Sequence, residues 1–262
     1  MADQGGIRGE SSILKTHPNA GGLRTMLSRN NYIVHEAAYG SKIGDGTDVC
    51  HWSRKFRDHM ERILTTRYQD TLYTDGTRNK VVMFQASDSS NLIDAEGAEP
   101  GSPATAEKTV ANYKASYRSL LEYFRNEPET LFVPVTAPPI LKPEASQGIF
   151  RRILGRSGQE QADEMGKRAR SFNNWLKNIH SGWLKDYPLR NVVVFDYYDI
   201  LTFNGASNWL RYPSGTGSEC LPSKEGNTKA AQDFIPFINR AMHRMGKQVS
   251  NFYRSGQEAC AF

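Results

Sequence analysis

Four short apolar runs recur along this chain, and each empties into a polar turn: NNYIVHEAAYG (30–40), KVVMFQASDSSN (80–91), TLFVPVTAPP (130–139) and NVVVFDYYDIL (191–201). Stretches with helical periodicity separate them. Strand–turn–helix alternation of this kind builds a parallel α/β sheet with helices on its faces. In such sheets the chemistry collects at the carboxyl ends of the strands. The residues just after the four runs are therefore where function is to be sought.

The periodicity predicts strands at 32–36, 81–85, 131–136 and 192–195. The third run ends at the Pro138–Pro139 pair, because proline cannot donate to a ladder. Helices are predicted at 21–29, 53–64, 106–126, 162–178 and 227–245. In the second of these Phe56, Met60, Ile63 and Leu64 share a face, and in the last Ala230, Phe234, Phe237, Ile238 and Ala241 do. Residues 94–106 (DAEGAEPGSPATA) read as a flexible surface loop of small and turn-forming residues. Neither an internal repeat nor a second core is visible, so residues 1–262 read as a single domain with a Gly-rich, polar amino-terminal stretch over 1–20.

The chain has 262 residues and a net charge of +5. Its basic residues are scattered, without an aromatic-interleaved stripe or a nucleic-acid motif, so nucleic acid is not an expected partner. Neither is a membrane, since no apolar run approaches the roughly 20 residues a spanning helix needs. MADQGGIRGESS lacks the basic-then-apolar plan of a secretory signal. The expectation is a cytoplasmic protein, or a secreted one whose export signal is not in this chain. Cys50, Cys220 and Cys260 are too few and too widely spaced for a disulfide framework or a zinc site. HExxH, CxxC and glycine-rich phosphate-loop motifs are absent, and Asp45, Asp48 and Asp75 do not have calcium-loop spacing, so no cofactor or metal is expected.

Several segments carry a resemblance. SECLPSKEGNTKAAQDFIPFINRA (218–241) sets a turn with Pro-Ser-x-x-Gly-Asn directly before an amphipathic helix. YGSKIGDGTDVCHW (39–52), FQASDSSNLI (84–93), TLFVPVTAPPI (130–140), RARSFNNWLKN (168–178) and NVVVFDYYDIL (191–201) precede it in a fixed order. This series resembles the esterase branch of the SGNH (GDSL-like) hydrolases over about residues 20–245. The resemblance implies a three-layer α/β/α fold with a central parallel sheet of flavodoxin-like order. It also implies a serine esterase acting on O-acyl groups, with a small-molecule or carbohydrate ester as substrate.

In such a site a serine attacks the ester carbonyl. A histidine takes its proton, an acid orients that histidine, and a glycine N–H and an asparagine side chain hold the oxyanion. By resemblance, Ser11 matches the nucleophile (otherwise a helix-capping serine) and Gly40 the oxyanion glycine (otherwise a turn glycine). Asn91 matches the oxyanion asparagine (otherwise an Asx-turn residue), and Glu219 the orienting acid. Leu221 stands where the histidine belongs, immediately before Pro222, and a leucine accepts no proton. His35 and Ser87, both at strand ends, form a second candidate pair.

The residues before Ser11 cannot form the apolar strand that should carry it. The first strand of the sheet is thus expected to be missing, leaving the 32–36 and 81–85 strands either paired directly or with backbone groups unsatisfied. Three alternatives follow: an active esterase, a catalytically inactive binding protein of the same fold, or an amino-terminally truncated gene product.

Overall fold

A computed structural model describes residues 20–35, 37, 43–67, 71–86, 88–142, 158–214 and 221–259. Among them are six α-helices and one two-stranded parallel sheet. In chain order they are α1 (Leu23–Arg29), α2 (Val49–Thr65), β1 (Val81–Gln85), α3 (Val110–Arg125), β2 (Leu131–Val135), α4 (Gly158–Lys177), α5 (Tyr197–Leu201) and α6 (Lys224–Ala259). The architecture is mixed α/β, as the alternation of apolar runs requires. A 3-10 turn, Asp88–Asn91, follows β1.

β1 and β2 pair from Val81↔Leu131 to Gln85↔Val135. The fourth apolar run, expected to be a full strand, lies parallel to β2 on its other side but joins it only at two isolated bridges, Phe132↔Val192 and Val135↔Phe195. The cause is Pro134. Phe132 donates to the Asn191 carbonyl (2.8 Å) and accepts from Val193 N–H (3.0 Å). Phe195 donates to the Pro134 carbonyl (3.0 Å) and accepts from Thr136 N–H (3.1 Å). The rung missing from this alternation is an N–H from residue 134 to the Val193 carbonyl, and proline has none to give.

The strand expected at 32–36 is also corrected: residues 32–35 belong to no ladder. Tyr32 N–H bonds back to the Leu27 carbonyl (3.0 Å), the Arg24 guanidinium donates to the Val34 carbonyl (3.2 Å), and Ile33 is 82% exposed. A cavity of about 160 Å³ lies between this segment and β1, so the two do not pair.

Alternation of side chains sorts the core into two layers. Leu131, Val133, Val135 and Phe195 pack with Leu23 and Leu27 of α1 and with Phe234 and Ile238 of α6. Val82, Phe84, Phe132 and Val192 face the other way, onto Trp52 and Phe56 of α2, Leu120 and Phe124 of α3, and Phe172 of α4. Aromatic rings run through this second layer. The Phe124 and Phe132 rings stack at 4.0 Å, and Phe56 meets Phe124 edge-on at 4.9 Å.

The 94–106 loop is held rather than loose. Asp94 N–H bonds to Lys108 O (2.8 Å), Val110 N–H to Ala95 O (3.1 Å) and Ser102 N–H to Asn112 Oδ1 (2.8 Å). Small residues here serve close backbone approach, and Gly101 lies so near the Ala111 carbonyl that no Cβ would fit.

Candidate functional site

Parallel ribbons open their carboxyl ends on one rim. Three segments meet there: the Asp88–Asn91 turn after β1, residues 136–138 after β2, and Asp196 at the start of α5. Asn91 is 1% exposed and its amide ties the rim together. Its Nδ2 donates to the Ala137 carbonyl (2.7 Å) and the Pro138 carbonyl (2.8 Å), and its Oδ1 accepts from Asn173 Nδ2 on α4 (3.0 Å). An amide has two N–H hydrogens, and both are aimed at loop carbonyls. Gln85, at the end of β1, donates weakly to the Thr136 carbonyl (3.3 Å) and keeps its Oε1 buried without a partner.

Beside this amide cluster sits a charged one. Asp196 caps α5 by accepting from Asp199 N–H (3.0 Å), and it pairs with Lys177 Nζ at 2.6 Å. Lys177 also pairs with Asp199, which in turn takes the Arg170 guanidinium. Arg170 donates further to Thr202 Oγ1 (2.8 Å) and the Ser207 carbonyl (2.5 Å), and its guanidinium lies 4.5 Å over the Tyr198 ring. Burial pushes the Asp196 carboxyl up from its ordinary value, and the pull of Lys177 does not offset it. Burial acts the same way on Asp199, but hydrogen bonds from Lys177 and Arg170 outweigh it and hold that carboxyl down. For Lys177, burial is outweighed by the hydrogen bonds it donates to Asp196 and Asp199, which raise the ammonium's affinity for its proton. The Thr136 hydroxyl is 3.5 Å from Asp196 Oδ1 and accepts from Tyr198 N–H (2.8 Å). It is 1% exposed, so a substrate carbonyl has no approach to it.

The entry to α6 completes the rim. Ser223 N–H bonds to Tyr212 O (2.6 Å) and Ser214 N–H to Leu221 O (3.1 Å), pinning the turn through Pro222. Asn227 donates to the Pro222 carbonyl (3.3 Å) and receives the Tyr197 hydroxyl, linking this turn to α5. Gly21 abuts the same residue: a Cβ there would run into the Asn227 carbonyl. The chain can lead into α1 along this line only with glycine.

Among the four residues expected from the resemblance, the structure describes Asn91 and gathers it with the carboxyl ends. Ser11, Gly40 and Glu219, and Ser87 of the second candidate pair, lie outside the described residues. Leu221 is described, half-buried beside Pro222, and offers only hydrocarbon. His35 is held by another group altogether, with Nε2 and the Tyr73 hydroxyl 2.7 Å apart. Among the described residues no histidine side chain is bonded to Asn91, Asp196 or Asp199. No group of His, Cys, Asp or Glu among them could hold a metal ion, and no helix is long and apolar enough to cross a membrane.

Sequence reading passed over Asp196, Lys177, Arg170 and Asn173. One signal was available for the first: an aspartate directly after the fourth apolar run, three residues before a second aspartate, has the form of a helix cap. The arrangement offers a satisfied amide cluster, a buried carboxyl with a raised proton affinity and a network of cations. Among the described residues it shows no base in contact with a nucleophile.

No protein-family model matches the chain, and neither do any curated protein or solved structure.

Proposed function

We propose that this chain is an SGNH-type hydrolase-fold protein of flavodoxin-like ancestry, descended from a serine esterase of O-acyl groups. It now binds a small-molecule or carbohydrate ester at its carboxyl rim without turning it over. The observation that carries this reading is the entry to α6, where Leu221 stands beside Pro222 in place of a proton acceptor. Removing the histidine of a serine protease such as subtilisin costs roughly a million-fold in kcat, and a hydrocarbon side chain supplies none of that function. The parallel ribbons, the helices on both faces and the convergence of Asn91, Asp196 and Pro222 on one rim support the ancestry. The engagement of both Asn91 N–H groups by carbonyls supports the loss of turnover, since an oxyanion would have to displace one of them.

Two measurements test the two halves of this reading. A fluorophosphonate probe is expected to leave the chain unlabelled, and p-nitrophenyl acetate to be hydrolysed no faster than in buffer. Labelling that Ser11→Ala or Ser87→Ala abolishes would restore an active esterase. Titration with an O-acetylated glucoside is expected to shift the side-chain amide resonances of Asn91 and Asn173, with no response to the deacetylated sugar. Equal response to both sugars, or to neither, would remove ester binding from the proposal.

A further inference from the structure

The cavity of about 160 Å³ between β1 and the 32–35 segment has a mixed wall. Phe56, Ile63, Phe84, Phe234 and Ile238 give it a large apolar share. Most of its polar side chains are engaged. Lys55 Nζ donates to the Ile43 carbonyl (2.8 Å) and lies 4.6 Å over the Trp52 ring. His35 meets the Tyr73 hydroxyl, and Thr66 donates to the Arg62 carbonyl (2.7 Å). The Asn79 amide donates to the Ile63 (3.1 Å) and Thr66 (2.8 Å) carbonyls. Trp52 is the exception. It is 1% exposed, and its indole N–H has no partner among the described residues. A buried donor left unpaired is costly, because it gives up its bond to water and receives nothing for it. A second set of unused groups runs along β1. Leu131 donates its N–H to the Lys80 carbonyl (2.9 Å), so residues 80, 82 and 84 turn toward β2. Val81 and Met83 line the cavity and turn the other way, and their N–H and C=O groups meet no partner among the described residues.

We propose that this cavity is a binding site for a small uncharged hydroxyl compound of the phenol class, an apolar body carrying one O–H. Size comes first. An engineered cavity of about 150 Å³ takes up benzene, so this one suits a ligand of about six to eight non-hydrogen atoms. The unused groups set its polarity. A hydroxyl accepts one hydrogen bond and donates another, so it serves an unpaired N–H and an unpaired carbonyl together. The indole N–H of Trp52 supplies the first, and the Val81 and Met83 carbonyls supply the second. The aromatic and aliphatic wall takes the rest of the molecule, as in small-molecule sites generally. Charge is disfavoured on either sign. No Asp or Glu among the described residues lines the cavity to meet an ammonium. A carboxylate would surrender its hydration to a wall whose ammonium already serves the Ile43 carbonyl. This site shares no residue with the carboxyl rim and stands apart from the ester-binding reading given to it.

The test titrates phenol into the full chain and follows the Trp52 indole N–H and the Val81 and Met83 amides by NMR. Saturable shifts of all three are expected, with the side-chain amides of Asn91 and Asn173 unmoved. Toluene has the same shape without the oxygen and should bind about three- to ten-fold more weakly, the worth of one hydrogen bond. Benzoate should produce no saturable shift. Trp52→Phe keeps a ring and removes the N–H, so it should bring phenol down to the affinity of toluene. Met83→Phe puts a ring into the space and should abolish binding of both, with the cooperative thermal transition retained. Should that variant fail to fold, Ile63→Phe fills the cavity from the opposite wall and makes the same test. Absence of a saturable response to phenol would overturn the proposal. So would equal affinity for phenol and toluene in the unaltered chain, which marks a merely apolar void, or a preference for benzoate. Shifts at Asn91 and Asn173 instead of Trp52 would place the ligand at the rim and overturn it as well.

Discussion

β1 is paired along one edge and bare along the other, and the molecule is built differently on the two sides. Toward β2 the ladder is continuous, and beyond β2 the 192–195 ribbon makes every rung but the one Pro134 withholds. Phe124 and Phe132 close over this side with almost no exposure. Toward residues 32–35 there is a trough, an indole N–H without a partner and an isoleucine in solvent. One lost donor inside a strand interrupts a ladder by a single rung, and the packing around it survives. On the other edge, side chains from two helices leave a cavity of about 160 Å³ between β1 and the 32–35 segment.

The largest effect that follows is in the cores. Phe132→Ala, on the closed side, is expected to cost about 3–5 kcal/mol in urea unfolding, because its neighbours are too tightly packed to collapse into the space. Met83→Ala, beside the trough, is expected to cost less than about 2 kcal/mol, since the side chain is half-buried and already borders a cavity. Equal losses would erase the contrast between the two edges.

Next is the amide that knots the closed side's rim. Asn91→Ala strands two carbonyls and the Asn173 amide in a dry site, and should cost about 2–3 kcal/mol by the same measurement. Asn173→Ala removes only one of those bonds and should cost about half as much. If Asn91→Ala were neutral, the rim would be held by its charged network alone.

These two regions also differ in how far the sequence reveals them. β1 is expected at 81–85 and found at Val81–Gln85, and β2 ends one residue short of expectation. Both are continuous apolar runs bounded by turn residues, the pattern of strands buried on both faces. The fourth run, expected as a strand at 192–195, falls short of one because Pro134 withholds a rung, and its expected end agrees with the capping Asp196 that opens α5. Pro134 was visible, but its consequence depends on which way residue 134 faces, and that is a matter of register. The rim was legible as a place and not as a set of contacts. Asn91 falls after β1 by topology, whereas its partners lie 46, 47 and 82 residues away and leave no periodic trace.

A smaller effect tests the interrupted rung directly. Pro134→Ala supplies the missing N–H to the Val193 carbonyl, a gain of about 0.5–1.5 kcal/mol. It also frees the unfolded chain, a loss of about 0.4–1 kcal/mol. Stability should hardly change, but the new amide at residue 134 should be protected from hydrogen exchange as strongly as that of Phe132. Rapid exchange there would mean that the ribbon stands apart from β2 for reasons other than proline.

The smallest effect belongs to the open edge, where His35 lines the trough. Burial lowers the proton affinity of its imidazole below the ordinary value of 6.5, and the charges of Arg67 and Arg24 add to the shift. The unfolded chain therefore takes up a proton at this residue at a higher pH than the folded one. Stability is level above about 6.5 and falls as the pH drops through the window between that value and the depressed one. His35→Gln keeps a polar contact for the Tyr73 hydroxyl and cannot titrate in this range, so its unfolding free energy should lose that part of the slope.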